Sequence, residues 1–119
     1  LNMIYQQDLT DFEIILVDNE SSDHTLEIAK RYPVDKIINI KEFLPGLAIN
    51  NGIRASSGDY IVCLSAHCVP SNTSWLSNLL KNFDDTKSNT RAILSLDLDT
   101  NVDLFFIPKL LETISITFL

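Results

Sequence analysis

The chain has 119 residues, of which 45% are hydrophobic and 21% charged, and its formal net charge is −7 at pH 7. These values are ordinary for a globular protein, and the length allows one domain with a real core. The acidic balance argues against a general binder of nucleic acids or anionic membranes, because both classes need surplus lysine and arginine.

Signals for targeting and for disulfides are absent from the sequence. No run reaches the roughly 18 apolar residues of a membrane-spanning helix, and residues 1–7 lack the basic start and apolar centre of a signal peptide. Cys63 and Cys68 have neither CxxC nor zinc-finger spacing, so we interpret them as buried thiols in a reducing compartment. We expect a cytoplasmic protein without a membrane span, one that could be part of a longer chain.

The apolar run from Ile14 to Val17 predicts a strand at 12–17 that is buried on both faces. Asp18 and Asn19 follow it directly. A carboxylate and an amide therefore stand at the carboxyl end of a strand, which is where open α/β sheets bind their ligands.

The next elements predict a parallel sheet. Ser21, Ser22 and Asp23 can cap a helix that ends before Pro33. A strand at 36–40 then completes a strand–helix–strand unit, and such crossovers join parallel strands.

The later elements repeat this alternation. The strand at 60–64 is the most apolar of the chain, so we place it at the centre of the sheet, next to the first strand. After residue 84 the pattern weakens, with a strand signal at 92–98 and mixed signals at 105–119. In chain order we predict a Pro-Gly loop at 41–46, a helix at 47–56, the strand at 60–64, a polar stretch at 65–70 and a helix at 75–83.

Three segments, in this order and with these gaps, resemble the nucleotide-binding half of family 2 glycosyltransferases. The resemblance implies the GT-A fold, a Rossmann-like α/β architecture whose mostly parallel sheet is flanked by helices. It covers residues 1–83 and leaves 84–119 as a divergent C-terminal segment with a strand and a helix. The matching segments are the acid-rich strand end at Phe12–Thr25, the helix with its Asn-x-Gly motif at Pro45–Ile61, and the strand and polar edge at Leu64–Pro70.

The resemblance implies transfer of a sugar from a nucleotide-activated donor to an acceptor hydroxyl. The acceptor would be a glycan or a lipid-linked molecule, as in polysaccharide synthesis. Asp18, with Asn19 beside it, would contact the nucleobase or ribose; the alternative is a turn or capping acid. Asn50 would hydrogen-bond the donor or tie down the adjacent loop, and both roles stay open. Gly52 and Gly58 are interpreted as positions that need a positive φ or a close approach.

The sequence departs from the family at its metal site. Ser65, Ala66 and His67 stand where the family has Asp-x-Asp, whose carboxylates hold Mg²⁺ or Mn²⁺ against the donor diphosphate. Hard cations prefer carboxylate oxygen, so metal dependence is an open question. His67 is the candidate metal ligand; as a cation it could instead hydrogen-bond the diphosphate, or it could be satisfied by a neighbouring loop. A subset of the family carries a similar Ser-Ala-His triplet, and we therefore assign Ser65 and His67 to the donor site.

Two parts of the family pattern are expected outside this chain. The opening strand should precede Leu1, and the acceptor half with its catalytic base should follow; we nominate no catalytic residue here and expect little transfer activity. A missing edge strand would leave an open apolar border, which either a homodimer through that border or a missing partner segment would cover. A second Asp-x-Asp string occurs later, at Asp97 and Asp99, but its spacing places it beyond the family's metal-binding strand. We interpret these two acids and Asp103 as solvated residues of a turn or strand edge.

Two other functions were weighed against glycosyl transfer. One is a non-catalytic module that binds nucleotide sugars or pairs with another chain. The other is a dinucleotide-dependent enzyme, which is disfavoured because no Gly-x-Gly-x-x-Gly follows any strand.

Overall fold

The computed structural model describes residues 1–42, 44–65, 68–81, 93–95 and 114–118. Helices and strands alternate along the first 81 residues, as the strand–helix–strand pattern predicts. The strands are β1 (Phe12–Asp18), β2 (Lys36–Asn39), β3 (Tyr60–Leu64), β4 (Ile93–Ser95) and β5 (Ile114–Phe118). The helices are α1 (Asn2–Tyr5), α2 (Thr25–Ala29), α3 (Pro45–Ala55) and α4 (Trp75–Lys81).

The strands form one five-stranded sheet in the order β2-β1-β5-β3-β4, and every neighbouring pair is parallel. The predicted α/β fold with a parallel sheet is confirmed. The central strand, however, is β5 rather than β3. The prediction that β1 and β3 are neighbours is therefore wrong, because β5 lies between them.

The apolar runs of β1 and β3 are buried on both faces, as predicted. On one face Ile14, Val62 and Leu64 form a core with Ile4 of α1 and Leu76 of α4. Each of these side chains is at most 2% exposed. Helices α1 and α4 therefore cover this face of the sheet.

Helix α3 covers the other face. Its Ile49 and Ile53 pack against Ile61 and Cys63 of β3, which alternate with the β3 residues of the first core. Near the start of the helix, Ala48 packs against Val17 and Ile40. The first turns of α3 therefore lie beside the carboxyl end of β1.

Two predicted boundaries are corrected. Pro45 and Gly46 begin α3 instead of forming a loop, because proline suits the first turn of a helix, where its missing N–H would have no partner. Helix α2 begins only at Thr25, after an N-cap residue, His24, whose side chain makes no capping hydrogen bond.

The predicted strand at 92–98 contains β4. Asp97, Asp99 and Asp103 lie outside the described residues. The domain boundary at residue 83 stays a prediction, although β4 and β5 lie in the same sheet as β1 and β3. The homodimer also stays a prediction; the edge strands of the described sheet are β2 and β4.

Three smaller expectations concern membrane spans, cysteines and glycines. None of the helices in the described part of the chain has the length and apolar character needed to cross a bilayer. Cys63 is a buried free thiol, as predicted, whereas the free thiol of Cys68 is half-buried. No described glycine has a positive φ, so the positive-φ explanation of Gly52 and Gly58 is wrong. Close approach of the backbone at these glycines stays a prediction.

Candidate functional site

The last residue of β1, Asp18, is buried, with only 4% of its surface exposed. Its Oδ2 accepts a hydrogen bond from the Ser21 backbone N–H at 3.1 Å, and its Oδ1 accepts a short one from the Ser21 hydroxyl. Its backbone carbonyl accepts from the N–H of Ile40 at 2.8 Å. The carboxylate is therefore fixed by a turn of the chain, as the turn-acid alternative predicts, and each oxygen keeps a further lone pair for a ligand.

The turn after β1 requires an unusual backbone conformation. Glu20 has a φ of 48°, a left-handed conformation that is uncommon for residues other than glycine. Ser21 donates hydrogen bonds to Asp18 and does not cap α2, so the predicted capping role of Ser21 is wrong. The Oδ1 of Asp23 accepts from the Thr25 N–H at 2.9 Å. Hydrogen bonding by the Thr25 side chain, and to a lesser degree by its backbone N–H, lowers the pKa of Asp23.

Asn19 is exposed, and no described residue forms a hydrogen bond with its side chain. Beside it lies a residue that the sequence analysis missed. Asn39 ends β2, is exposed, and pairs in register with Asp18. In the sequence, Asn39 is a polar residue near the end of an apolar run. Only the strand register shows that it lies at the same sheet edge as Asp18.

Ser65 stands at the same edge of the sheet, on the other side of β5. Leu16 and Leu64 both pair with Phe118, so they lie at one level of the sheet. Two strand spacings separate β1 from β3, which is about 10 Å. Ser65 is half-buried, and its carbonyl accepts from the Cys68 N–H at 2.9 Å. The structure therefore brings Asp18, Asn19 and Ser65 to the carboxyl edge, while Ala66 and His67 lie outside the described residues.

Helix α3 contributes the remaining predicted residue, Asn50. It is half-buried, lies two residues after Ala48, and its side chain forms no hydrogen bond with another described residue. At the start of the helix, a Cβ added to Gly46 would meet no atom within 4 Å. No acidic residue and no side-chain cap hydrogen bond occur in this first turn, so the positive end of the α3 dipole is not neutralised there by a described side chain of the helix.

The opposite, amino edge of the sheet has a different arrangement. The Oε1 of Glu13 accepts from the backbone N–H and hydroxyl of Ser57 and from the N–H of Gly58 at 3.3 Å. Its Oε2 accepts from Lys36 Nζ at 3.2 Å, and the same ammonium group donates to the Ala55 carbonyl. Glu13 thus joins β1 and β2 to the turn between α3 and β3.

The residues described at the carboxyl edge do not fit a divalent metal ion. Asp18 is held by Ser21, and Ser65 supplies a neutral hydroxyl where a hard cation requires carboxylate oxygen. The described residues contain no group of three or more His, Cys, Asp or Glu side chains that could hold a metal. A metal-binding role for His67 stays a prediction.

The buried thiol of Cys63 does not supply a nucleophile. Cys63 is 1% exposed, and burial raises its pKa to about 11, so the thiol stays protonated at neutral pH. The fixed carboxylate and the exposed amides described at the carboxyl edge suit binding through hydrogen bonds.

Comparisons with known proteins agree with this architecture. The family model of glycosyl transferase family 2 matches residues 1–90, which include β1, β2, β3 and all four described helices. No curated protein and no solved structure matched the chain. A match over this share of the sequence shows the family, and the chain belongs to glycosyl transferase family 2.

Proposed function

We propose that the carboxyl edge of the sheet binds a nucleotide-activated sugar that serves as the donor in glycosyl transfer. The single observation that carries the proposal is the fixed carboxylate of Asp18 at the end of β1, about 10 Å across the sheet from Ser65. A carboxylate held in this way can accept hydrogen bonds from a base N–H or from ribose hydroxyls without losing further side-chain entropy.

The neighbouring residues support a ligand of this size and chemistry. Asn19 and Asn39 are exposed amides beside Asp18, and Asn50 on α3 has no hydrogen-bond partner among the described residues. The positive end of the α3 dipole favours the negative charge of a diphosphate. Ser65 lies at the opposite side of the proposed site. We propose that His67, two residues later in the sequence, supplies the cation that the described part of this edge lacks.

The proposed acceptor is a hydroxyl of a glycan or of a lipid-linked molecule, as in polysaccharide synthesis. Inverting transfer to such a hydroxyl needs a general base to remove its proton. Asp18 is assigned to donor binding rather than to this base, because its carboxylate is held by Ser21 and each oxygen keeps a further lone pair for a hydrogen bond from the donor.

A thermal-shift panel of UDP-, GDP- and dTDP-sugars, each with and without Mn²⁺, tests the proposal. A donor at ten times its Kd stabilises the folded protein by about 1.4 kcal/mol, which raises Tm by roughly 4–6 °C for a domain of this size. We expect one nucleotide class to produce this shift. If no nucleotide sugar raises Tm at millimolar concentration, the proposal is wrong.

The Asp18→Asn variant assigns the shift to this edge. It should lose at least ten-fold in affinity for the stabilising donor. Asp11→Asn, at an exposed residue directly before the same strand, is the matched control and should bind like the parent protein. Equal donor affinity in Asp18→Asn and the parent would remove Asp18 from the site.

A second function, donor binding without transfer, is favoured by one observation. The first residue after β3 is the neutral Ser65, at the place where the family resemblance implies the first acid of an Asp-x-Asp motif. Donor hydrolysis distinguishes the two functions, since turnover above background supports a catalytic protein and binding without turnover supports a binding module.

A further inference from the structure

The central strand of the sheet comes from the far end of the chain. β5 pairs in parallel with β1 from Phe12↔Ile114 to Leu16↔Phe118, and with β3 from Tyr60↔Ile114 to Leu64↔Phe118. β5 therefore pairs with the facing backbone edges of both β1 and β3 over its full length of five residues.

Without β5 the sheet would lose the strand pairing that joins its two halves. The pairs β2–β1 and β3–β4 are each hydrogen-bonded internally, but in the described residues the two halves are bridged by strand pairing only through β5. Asp18 and Asn39 belong to one half and Ser65 to the other. The distance between the two sides of the candidate site is therefore set by the presence of one intervening strand.

We infer that β5 is a docking strand that assembles the candidate ligand site by occupying the slot between β1 and β3. An empty slot would leave two rows of backbone N–H and C=O groups unpaired between buried strands, which is costly. The slot accepts this particular segment because its register places Ile116 level with both Ile14 and Val62.

Docking of β5 and binding of a ligand that touches both sides of the site are coupled. Such a ligand binds the docked form and not the separated halves, so it shifts the equilibrium toward docking. By linkage, tighter docking strengthens ligand binding to the same extent. This coupling rests on the proposed function, whereas the docking of β5 does not.

Hydrogen exchange on the full chain without ligand tests the docking. The amides of 114–118 should be protected at least 100-fold relative to an unstructured chain, within about ten-fold of those of 61–64. Amides of 114–118 that exchange as fast as an unstructured chain would overturn the inference, whatever ligand the protein binds.

Addition of the nucleotide sugar that gives the largest thermal shift tests the coupling. At ten times its Kd the protection of 114–118 should rise by about ten-fold, because exchange then requires ligand release. Unchanged protection in the presence of a bound, stabilising donor would contradict the coupling. If no nucleotide sugar binds, the proposed function fails, and the measurement without ligand still decides the docking.

A pair of variants at one position checks the same inference by another route. Ile116→Pro removes a backbone N–H in the middle of β5 and should weaken donor binding at least 30-fold, or prevent folding. Ile116→Val keeps the N–H and the branched side chain and should bind within three-fold of the parent protein. A folded Ile116→Pro variant with the affinity of the parent would overturn the inference. If this variant does not fold, the hydrogen exchange of 114–118 in the parent protein decides whether β5 is docked.

Discussion

Strand β1 carries a carboxylate near each end, and the two differ in what surrounds them. Glu13, at the amino end, accepts from two backbone N–H groups, one hydroxyl and one ammonium group, and its side chain is 16% exposed. Asp18, at the carboxyl end, accepts only from Ser21 among the described residues, and exposed amides flank it.

The difference separates a structural end of the sheet from a binding end. At the amino edge the donors around the carboxylate come from β2 and from the turn between α3 and β3, so the carboxylate holds both to β1. At the carboxyl edge the carboxylate is oriented by its own turn, and the neighbouring polar groups still have hydrogen-bonding capacity. Each of the following variants should affect one edge and leave the other unchanged.

The largest effect is expected for Glu13→Ala. It removes the acceptor of four hydrogen bonds, one of them from the buried Gly58 and the others from the exposed Lys36 and Ser57, and should lower the free energy of unfolding by about 2 kcal/mol. Urea denaturation measures this change, and donor affinity of the folded variant should equal that of the parent. Glu27→Ala is the control, because Glu27 contacts only the exposed His24 and Arg31 and should cost less than about 0.5 kcal/mol. Equal effects of the two variants would remove the special role of Glu13.

Ser21→Ala should have the next largest effect. The variant removes the hydroxyl that donates to Oδ1 of a buried carboxylate, while the backbone N–H of residue 21 still donates to Oδ2, and it should lower the free energy of unfolding by about 1–1.5 kcal/mol. Because Asp18 is then held at one oxygen only, donor affinity should fall as well, in contrast to Glu13→Ala. Ser22→Ala, at the exposed neighbouring hydroxyl, should change neither quantity. An unchanged affinity in Ser21→Ala would show that the turn does not position Asp18.

Tyr5 gives the amino edge a pH dependence. Its ring stacks on Tyr32 and contacts Phe12 at the start of β1, and its hydroxyl is buried without a hydrogen-bond partner among the described residues. Burial, and to a lesser degree the charge of Asp35, raises the pKa of Tyr5 to about 12. The folded state thus holds the phenol proton more tightly than the unfolded state, in which the pKa is about 10.

Stability from this proton is present below pH 10 and is lost as pH rises from about 10 to 12. Tyr5→Phe should therefore flatten the decline in unfolding free energy over this range. Near pH 7 it should be neutral or slightly stabilising, because it removes an unpaired buried hydroxyl. Urea denaturation at a series of pH values measures both effects, and a decline as steep as that of the parent would contradict the assignment.

The smallest effect is expected at Glu20, where the carboxyl edge contains an unfavourable backbone conformation. Glu20→Gly should raise the free energy of unfolding by about 0.5–1 kcal/mol, since glycine adopts a positive φ without steric cost. Glu42→Gly is the matched control at a described residue without a positive φ, and it should be neutral or slightly destabilising. If both variants are destabilising to the same degree, the turn at Glu20 is not strained.

Much of this architecture could be predicted from local sequence. Continuous apolar runs predict β1 and β3, and an abrupt change from Val17 to Asp18 predicts a polar strand end. The position of β5 could not be predicted, because Ile114-Ser-Ile-Thr-Phe118 alternates in polarity and pairs with strands about 50 and 100 residues earlier. Asn39 was missed because its place beside Asp18 depends on register, and Glu20 because glutamate does not signal a left-handed turn.

The most direct test of the central claim is a titration of the protein with the stabilising nucleotide sugar, followed by the amide chemical shifts in NMR. We predict that the shift changes concentrate at the carboxyl edge, on Asn19, Ser21, Asn39 and Ser65. The amides of Ser57 and Gly58, which donate to Glu13 at the amino edge, should not move. Saturable changes centred on Ser57 and Gly58, with none at Asn19 or Ser21, would contradict the account.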